Sequence, residues 1–331
     1  MISMNEARRF KITGPRAVMC CAALLLGCGT NGDGAATVSS SQQALFSSRQ
    51  LWPLPADTWN YFADVSGDTK SDATYRVGDR IRFFQSTGPS FVAWPGELVW
   101  LTSYDYQLAD VSGDGKADVI GIGPNGEIMV SVSMGTYFAS GTVWNYWNLS
   151  YDHQFADVND DGRADIIGVG PSGEIMVALS TGSSFASGSV WQYWSPSYSH
   201  HFVDLNDDDM ADAIGWDYNT HTNVVVALSN GTSFVGPAVT WATWNPDFSI
   251  HFVDIDADGK GDLVGGLWNG DLKVAFSTGT QFSPAVSLDA QSSTSIAFAD
   301  VGGDSKIDLI DRGSGIGGGS SVSYVAVRLG N

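Results

Sequence analysis

A nine-residue stretch suited to holding a divalent cation is written six times in this chain of 331 residues. Its clearest copy is Asp157-Val158-Asn159-Asp160-Asp161-Gly162-Arg163-Ala164-Asp165, with oxygen-bearing side chains at positions 1, 3, 5 and 9 and glycine at position 6. Hard cations such as Ca2+ want several oxygen ligands at roughly 2.3–2.6 Å, and a helix-flanked calcium loop supplies them with the same 1-3-5-7 rhythm. Position 7 would offer its backbone carbonyl, which leaves its side chain, Arg163 here, free to vary. Glycine at position 6 lets the chain turn sharply back toward the ion without a Cβ penalty.

The candidate ligands are Asp64, Ser66, Asp68 and Asp72 in the first loop and Asp110, Ser112, Asp114 and Asp118 in the second. The third offers Asp157, Asn159, Asp161 and Asp165, and the fourth Asp204, Asn206, Asp208 and Asp212. The fifth offers Asp254, Asp256, Asp258 and Asp262, and the last only Asp300, Asp304 and Asp308, because Gly302 removes the third-position ligand. Position 6 is glycine in the second, third and fifth loops but Thr69, Asp209 and Ser305 elsewhere. The expected order of affinity is therefore third and fifth, second, fourth, then first and sixth. The competing reading for any one loop is an Asx turn that holds no ion.

Short strands must position these loops. The copies start 46, 47, 47, 50 and 46 residues apart, a period that reads as a propeller, a solenoid or an array. An apolar run precedes each loop (His153 to Val158), a second follows it (Asp165 to Gly170), and after a Pro-Ser-Gly turn comes a third, Glu174 to Ser180. Phe185 to Trp194 supplies a fourth. These runs are rich in Val, Ile and aromatics and fenced by Gly, Ser, Asn or Pro, and no window supports a long amphipathic helix. Four strands per repeat predicts an all-β propeller of about six blades, with seven as the alternative. The sixth repeat ends without a fourth strand, whereas Phe46 to Trp52 occupies the matching place before Asp64. The N-terminal strand is therefore expected to complete the last blade and remove two exposed sheet edges.

On the aspartate loops and the glycines after them, such as Gly121-Ile122-Gly123-Pro124 and Gly168-Val169-Gly170-Pro171, the repeat resembles the FG-GAP or VCBS-type blade. That blade builds integrin-like propellers and the propeller lectins of fungi and bacteria. The resemblance covers about residues 46–331 and implies several structural Ca2+ ions, held by loop positions 1, 3, 5 and 9. The propellers it resembles usually have seven blades.

A second set of residues repeats ahead of the loops. Ten residues before the first aspartate stand Trp100, Trp147, Trp194 and Trp244, and thirteen before it Trp144, Trp191 and Trp241. Between Trp and loop lie Tyr104, Tyr151, Tyr198 and Phe248, then His153, His200, His201 and His251. Sugars stack their C–H faces on aromatic rings while polar groups bond the hydroxyls, so Trp100, Tyr104, Trp147, Tyr151, His153, Trp194, Tyr198, His200, His201, Trp244 and His251 are candidate carbohydrate-binding residues. The alternative is that the aromatics fill the wedges between blades. The histidines lack the spacing and third group of a metal site.

The N-terminus reads as a targeting signal. Arg8, Arg9, Lys11 and Arg16 precede an apolar run, Ala17 to Gly27, too short to span a bilayer. Leu25-Leu26-Gly27-Cys28 resembles a bacterial lipobox, with Cys28 to be lipidated after cleavage. Residues 1–27 are then a lipoprotein signal peptide, 28–45 a flexible Gly/Ala/Ser/Thr tether, and 46–331 the propeller, placed on the cell envelope through the lipid alone. All three cysteines lie within the first 28 residues, so a cleaved chain keeps Cys28 and forms no internal disulfide. That chain carries 12 basic and 35 acidic residues, which argues against nucleic acid as a partner. No nucleophile elbow, phosphate loop, zinc helix or cysteine nucleophile is present. The carboxylates belong to the loops, so the chain is not expected to be an enzyme. A carbohydrate-binding surface lectin or adhesin is the first expectation. An envelope scaffold for a surface protein is the alternative, and an enzyme with its site on one propeller face comes third.

Overall fold

The computed structural model describes residues 50–53, 61–217, 223–243, 249–266, 271–291, 296–317, 320–328 and 330. The leader, Cys28, the tether and Trp244 lie outside them. Every described element is a β-strand. Five sheets are blades of four consecutive strands. The first holds β2 (Tyr61–Ala63), β3 (Asp72–Val77), β4 (Arg80–Ser86) and β5 (Phe91–Val99). The second holds β6 (Asp105–Ala109), β7 (Asp118–Ile122), β8 (Glu127–Ser131) and β9 (Thr142–Tyr146). The third holds β10 (Asp152–Ala156), β11 (Asp165–Val169), β12 (Glu174–Ala178) and β13 (Ser189–Tyr193). In the fourth are β14 (Tyr198–Val203), β15 (Asp212–Asp217), β16 (Asn223–Ala227) and β17 (Val239–Thr243). In the fifth are β18 (Ser249–Val253), β19 (Asp262–Gly266), β20 (Asp271–Ala275) and β21 (Val286–Gln291).

A sixth four-stranded sheet joins the two ends of the chain. Beside β22 (Ile296–Ala299), β23 (Asp308–Gly317) and β24 (Ser320–Arg328) lies β1 (Gln50–Pro53), antiparallel to β24 with Leu51 opposite Ala326 and Trp52 opposite Val325. The protein is thus an all-β propeller of four-stranded blades, five continuous in sequence, plus one sheet made from both ends. No seventh sheet occurs among the described residues.

Each blade is an up-and-down antiparallel meander whose aspartate loop links its first two strands. The first strands of neighbouring blades approach one another, β2 with β6, β10 with β14 and β14 with β18, which puts them on the inside of the ring. The pairing of third with fourth strands shifts register at one bulge in each of the five continuous blades, as at Ile175/Met176. A bulge adds local twist, which suits the outer rim of a propeller blade.

The core is divided into wedges between sheets. One cluster combines Val158, Ile167, Ile175 and Val177 of the third blade with Phe202, Ala213, Val225 and Phe234 of the fourth. Similar clusters join first to second, second to third, fourth to fifth, fifth to sixth, and the sixth sheet back to the first blade. The Trp at position −13 belongs to these wedges. Trp144, Trp191 and Trp241 meet Phe185, Phe234 and Phe282 of the following blade, with ring centroids 5.6, 5.4 and 5.7 Å apart.

Candidate cation loops and an inter-blade cleft

The six loops share one backbone shape. Position 6 takes positive φ in every copy, including Thr69 (71°), Asp209 (64°) and Ser305 (64°), so the turn forms without glycine at a strain cost that glycine avoids. Position 4 is also left-handed: Gly67, Gly113, Asp160, Asp207, Ala257 and Gly303. This doubled turn aims backbone N–H groups at the first aspartate. Asp157 Oδ1 accepts from the N–H groups of Asn159, Asp160 and Asp161, and its Oδ2 from that of Gly162. The ninth residue is locked from another side, since Asp165 Oδ2 accepts the Val158 N–H and Oδ1 the Ser180 N–H.

The ninth-position aspartates are the electrostatic problem of the fold. All six are buried, and loss of hydration pushes Asp72, Asp118, Asp165 and Asp212 up to about 7, Asp262 to about 8 and Asp308 to about 6. Neighbouring loop carboxylates add to the rise, while backbone N–H groups oppose it. Asp254 and Asp300 at position 1 are also raised by burial. A divalent cation would reverse this balance by favouring the ionised form.

Do the residues fit such an ion? In the fifth loop, carboxylate oxygens of Asp254, Asp256 and Asp262 lie within 4.8 Å of one another. In the third and fourth loops the third residue is Asn, and the Oδ1 atoms of Asn159 and Asn206 are buried with no hydrogen-bond partner. Buried acceptors are rarely left so. The Nδ2 atoms of the same amides donate to Asp161 and Asp208, which turns the oxygens away from those carboxylates. An oxygen-only donor set with orphaned acceptors fits a hard cation such as Ca2+.

The position-7 side chain does vary, being Met210 in the fourth loop, but where it is cationic it can be engaged: Lys70, Lys116, Arg163 and Lys260 pair with the position-5 carboxylates of Asp68, Asp114, Asp161 and Asp258 at 2.6–3.0 Å. Two residues apart in a tight loop, the long cations fold back over the nearest anion. Such part-exposed pairs are worth at most about 1 kcal/mol, so an incoming divalent ion would not meet a strong competitor.

The proposed carbohydrate residues separate into two groups. Trp100, Tyr104, His153, Trp194 and His200 are buried, whereas Trp147, Tyr151, Tyr198, His201 and His251 are half-buried. The Trp at −10 lies across the second strand of the next blade, where only glycine leaves room. A Cβ on Gly121, Gly168 or Gly215 would come within 2.3, 2.3 or 2.8 Å of the indoles of Trp100, Trp147 and Trp194. The Tyr at −6 stands edge-on to it and donates to a glutamate of that blade, Tyr104 to Glu127 at 2.5 Å and Tyr151 to Glu174 at 2.9 Å. Glu127 and Glu174 also accept backbone N–H groups of the adjoining turn, from Asn125 and Ser172. Sequence reasoning missed both glutamates, although each follows its tyrosine by 23 residues. Burial pushes His200 and His251 down to about 4, so both are neutral near pH 7.

Equivalent clefts differ between blades. Between the first and second blades, Leu98, Val99, Leu101 and Met129 close around Trp100 and Tyr104 and leave about 90 Å³. Between the second and third, a cavity of about 470 Å³ is lined by Asn145, Tyr146, Trp147, Asn148, Tyr151, Met176, Phe185, Ser187 and Gly188. Asn145 staples the two blades, donating to the carbonyls of Phe185 and Ala186. Tyr146 is 67% exposed, and the Asn148 Oδ1 accepts the Ser150 N–H, which leaves its amide NH2 at the rim. The lining combines aromatic faces with amide and hydroxyl groups and has no charged side chain.

Trp147 owes its pose to Gly168. Gly168→Ala should displace the indole, shift tryptophan emission and cost about 1–3 kcal/mol, as overpacking does. Urea melts followed by fluorescence check this, and an unchanged emission maximum would refute the contact.

No protein-family model matches the chain, and no curated protein matches it. Among solved structures, a lectin of Agrocybe aegerita, described by its specific recognition of non-reducing terminal N-acetylglucosamine, is similar with a TM-score of 0.60 and 22% identity. The match covers 77% of this chain and 75% of the lectin. BBS1N in complex with ARL6DN is more distant, with a TM-score of 0.48, 10% identity and coverage of 87% and 97%. The lectin likeness shows the propeller fold.

Proposed function

We propose that this protein is a calcium-stabilised, non-catalytic propeller of FG-GAP or VCBS type that binds neutral carbohydrate in the cleft between its second and third blades. The observation that carries the reading is the cleft of about 470 Å³, uncharged and lined by Tyr146, Trp147, Tyr151, Asn145, Asn148 and Ser187. Ligand sites commonly combine such apolar walls with a few fixed polar groups. The fold neighbour recognises N-acetylglucosamine, which makes glycans ending in that sugar the first probes. The ring would close as six blades, with β1 completing the last. In the loops, Asp, Asn and Ser at positions 1, 3, 5 and 9 would hold Ca2+, which neutralises the clustered carboxylates and supplies no step of any reaction. With Cys28 lipidated, the propeller would stand on a bacterial envelope at the end of its tether.

A glycan array of the calcium-loaded protein tests the binding. Tyr146→Ala with Asn148→Ala should weaken the bound glycan at least tenfold, yet barely move the melting temperature, because both side chains are exposed. Equal binding by the double variant would reject this cleft. The alternative, docking of a surface protein, draws on the exposed Val99 and Leu101 beside the smaller cleft. It takes over if no glycan binds.

A further inference from the structure

A repeated hydrogen-bond relay joins each aspartate loop to the next blade. The carbonyl at loop position 1 accepts the N–H at position 8 of the following loop: Ala117 to Asp64, Ala164 to Asp110, Ala211 to Asp157, Gly261 to Asp204, and Ser71 to Asp300. The carbonyl at position 2 accepts a hydroxyl from a buried serine at or just past the end of the next blade's third strand. These bonds run from Ser133 to Val65, Ser180 to Val111, Ser229 to Val158, Ser277 to Leu205, and Ser86 to Val301, at 2.5–2.7 Å. The backbone N–H of the same serine donates to Oδ1 of its own blade's ninth-position aspartate at 2.7–2.8 Å. The other oxygen of that aspartate accepts the N–H of position 2, whose carbonyl receives the next serine.

We propose that these serines couple the loops, so that a cation bound in one raises the affinity of its neighbours. The inference rests on the cation reading of the loops and adds a positioning role for Ser86, Ser133, Ser180, Ser229 and Ser277. An ion held by Asp165 fixes the carboxylate that orients the Ser180 backbone. The Ser180 hydroxyl then holds the Val111 carbonyl, one residue from the first-position ligand Asp110. Serine and carbonyl are both buried, so no water can replace the bond cheaply. Coupling between sites is reciprocal, and one such contact supports an affinity change of about fivefold. The relay has two ends. In the sixth sheet Gly330 donates its N–H to Asp308 in the serine's place, and glycine has no hydroxyl to reach back to the fifth loop. The coupled series therefore runs from the Asp300 loop through Asp64, Asp110, Asp157 and Asp204 to the Asp254 loop, and stops.

Calorimetric titration of Ca2+ into the metal-depleted full chain tests the coupling. Because the loops differ in intrinsic affinity, the slope is read as a difference. Ser180→Ala should bind with a lower Hill slope than the unaltered protein with the number of ions unchanged, and Ser180→Thr, which keeps the hydroxyl, should match the unaltered protein. If Ser180→Ala does not fold, Asp157→Asn decides. That variant should weaken the remaining sites about fivefold, whereas independent loops would bind as before. The same slope in Ser180→Ala as in the unaltered chain overturns the coupling while leaving the cation loops standing. Absence of any Ca2+ binding overturns both.

Discussion

Calcium added to the metal-depleted protein at pH 7.5 should raise its melting temperature by more than about 10 °C. An ion that binds only the folded state contributes about 2.7 kcal/mol per site at one hundred times its dissociation constant. Two occupied loops already supply about 5 kcal/mol, and at roughly 2 °C per kcal/mol for a chain of this size the shift reaches that value. The pH dependence has a definite sign. In the metal-free protein the ninth-position aspartates carry pKa values raised from 3.8 to about 6–8. Their protonated forms therefore stabilise the fold fully at low pH, and that contribution is lost as pH rises through about 6–8. His200 and His251, lowered from 6.5 to about 4, act in the opposite sense, losing stability as pH falls across that interval. Six carboxyls outweigh two imidazoles, and above pH 6.5 the imidazoles contribute no slope. Without calcium the melting temperature should fall from pH 6 to pH 8.5. With calcium it should hold steady or rise, because the carboxylates are then kept ionised. Scanning calorimetry at both pH values, with and without the ion, decides the matter. A calcium-independent melt, or a metal-free protein more stable at pH 8.5 than at pH 6, would refute the loop reading.

The loops were legible in the sequence because each one completes its chemistry within nine residues. The left-handed turn at position 4 was not, since glycine marks it in only three copies and Asp160, Asp207 and Ala257 hide it in the others. The serine relay was equally hidden, because Ser180 meets Val111 across 69 residues and serine is common in loops of every kind. Composition also could not say whether an aromatic residue lines a cleft or fills one. Trp100 and Trp147 occupy equivalent positions, yet Leu98 and Leu101 cover the first while Asn145 and Asn148 leave the second open. What separates them is the neighbouring side chains two residues before Trp and one after it, which a search for repeated aromatics ignores. The strands themselves were readable within a few residues, since each is a short apolar run fenced by turn residues, and second strands such as Asp118–Ile122, Asp165–Val169 and Asp262–Gly266 are buried along nearly their whole length.

Removing the first strand should be as damaging as removing a core layer. Trp52 is 2% exposed and packs edge-on against Phe91 at 5.1 Å, within the cluster that joins the sixth sheet to the first blade. Truncating such a side chain typically costs 3–5 kcal/mol. Deleting Gln50–Pro53 adds a second penalty, because the residues of β24 from Tyr324 to Val327 lose the strand that pairs with them on that side among the described residues and become an open edge. The deletion should therefore lower the melting temperature by more than Trp52→Ala does and promote aggregation, read by light scattering. Trp52→Phe discriminates packing from hydrogen bonding. The indole N–H is buried with no partner, so phenylalanine keeps most of the apolar contact while shedding an unsatisfied donor. It should cost less than half of what alanine costs. Deleting residues 29–44, which precede the strand, should leave the melt unchanged. If the two deletions melt alike and both stay monomeric, β1 does not hold the ring together.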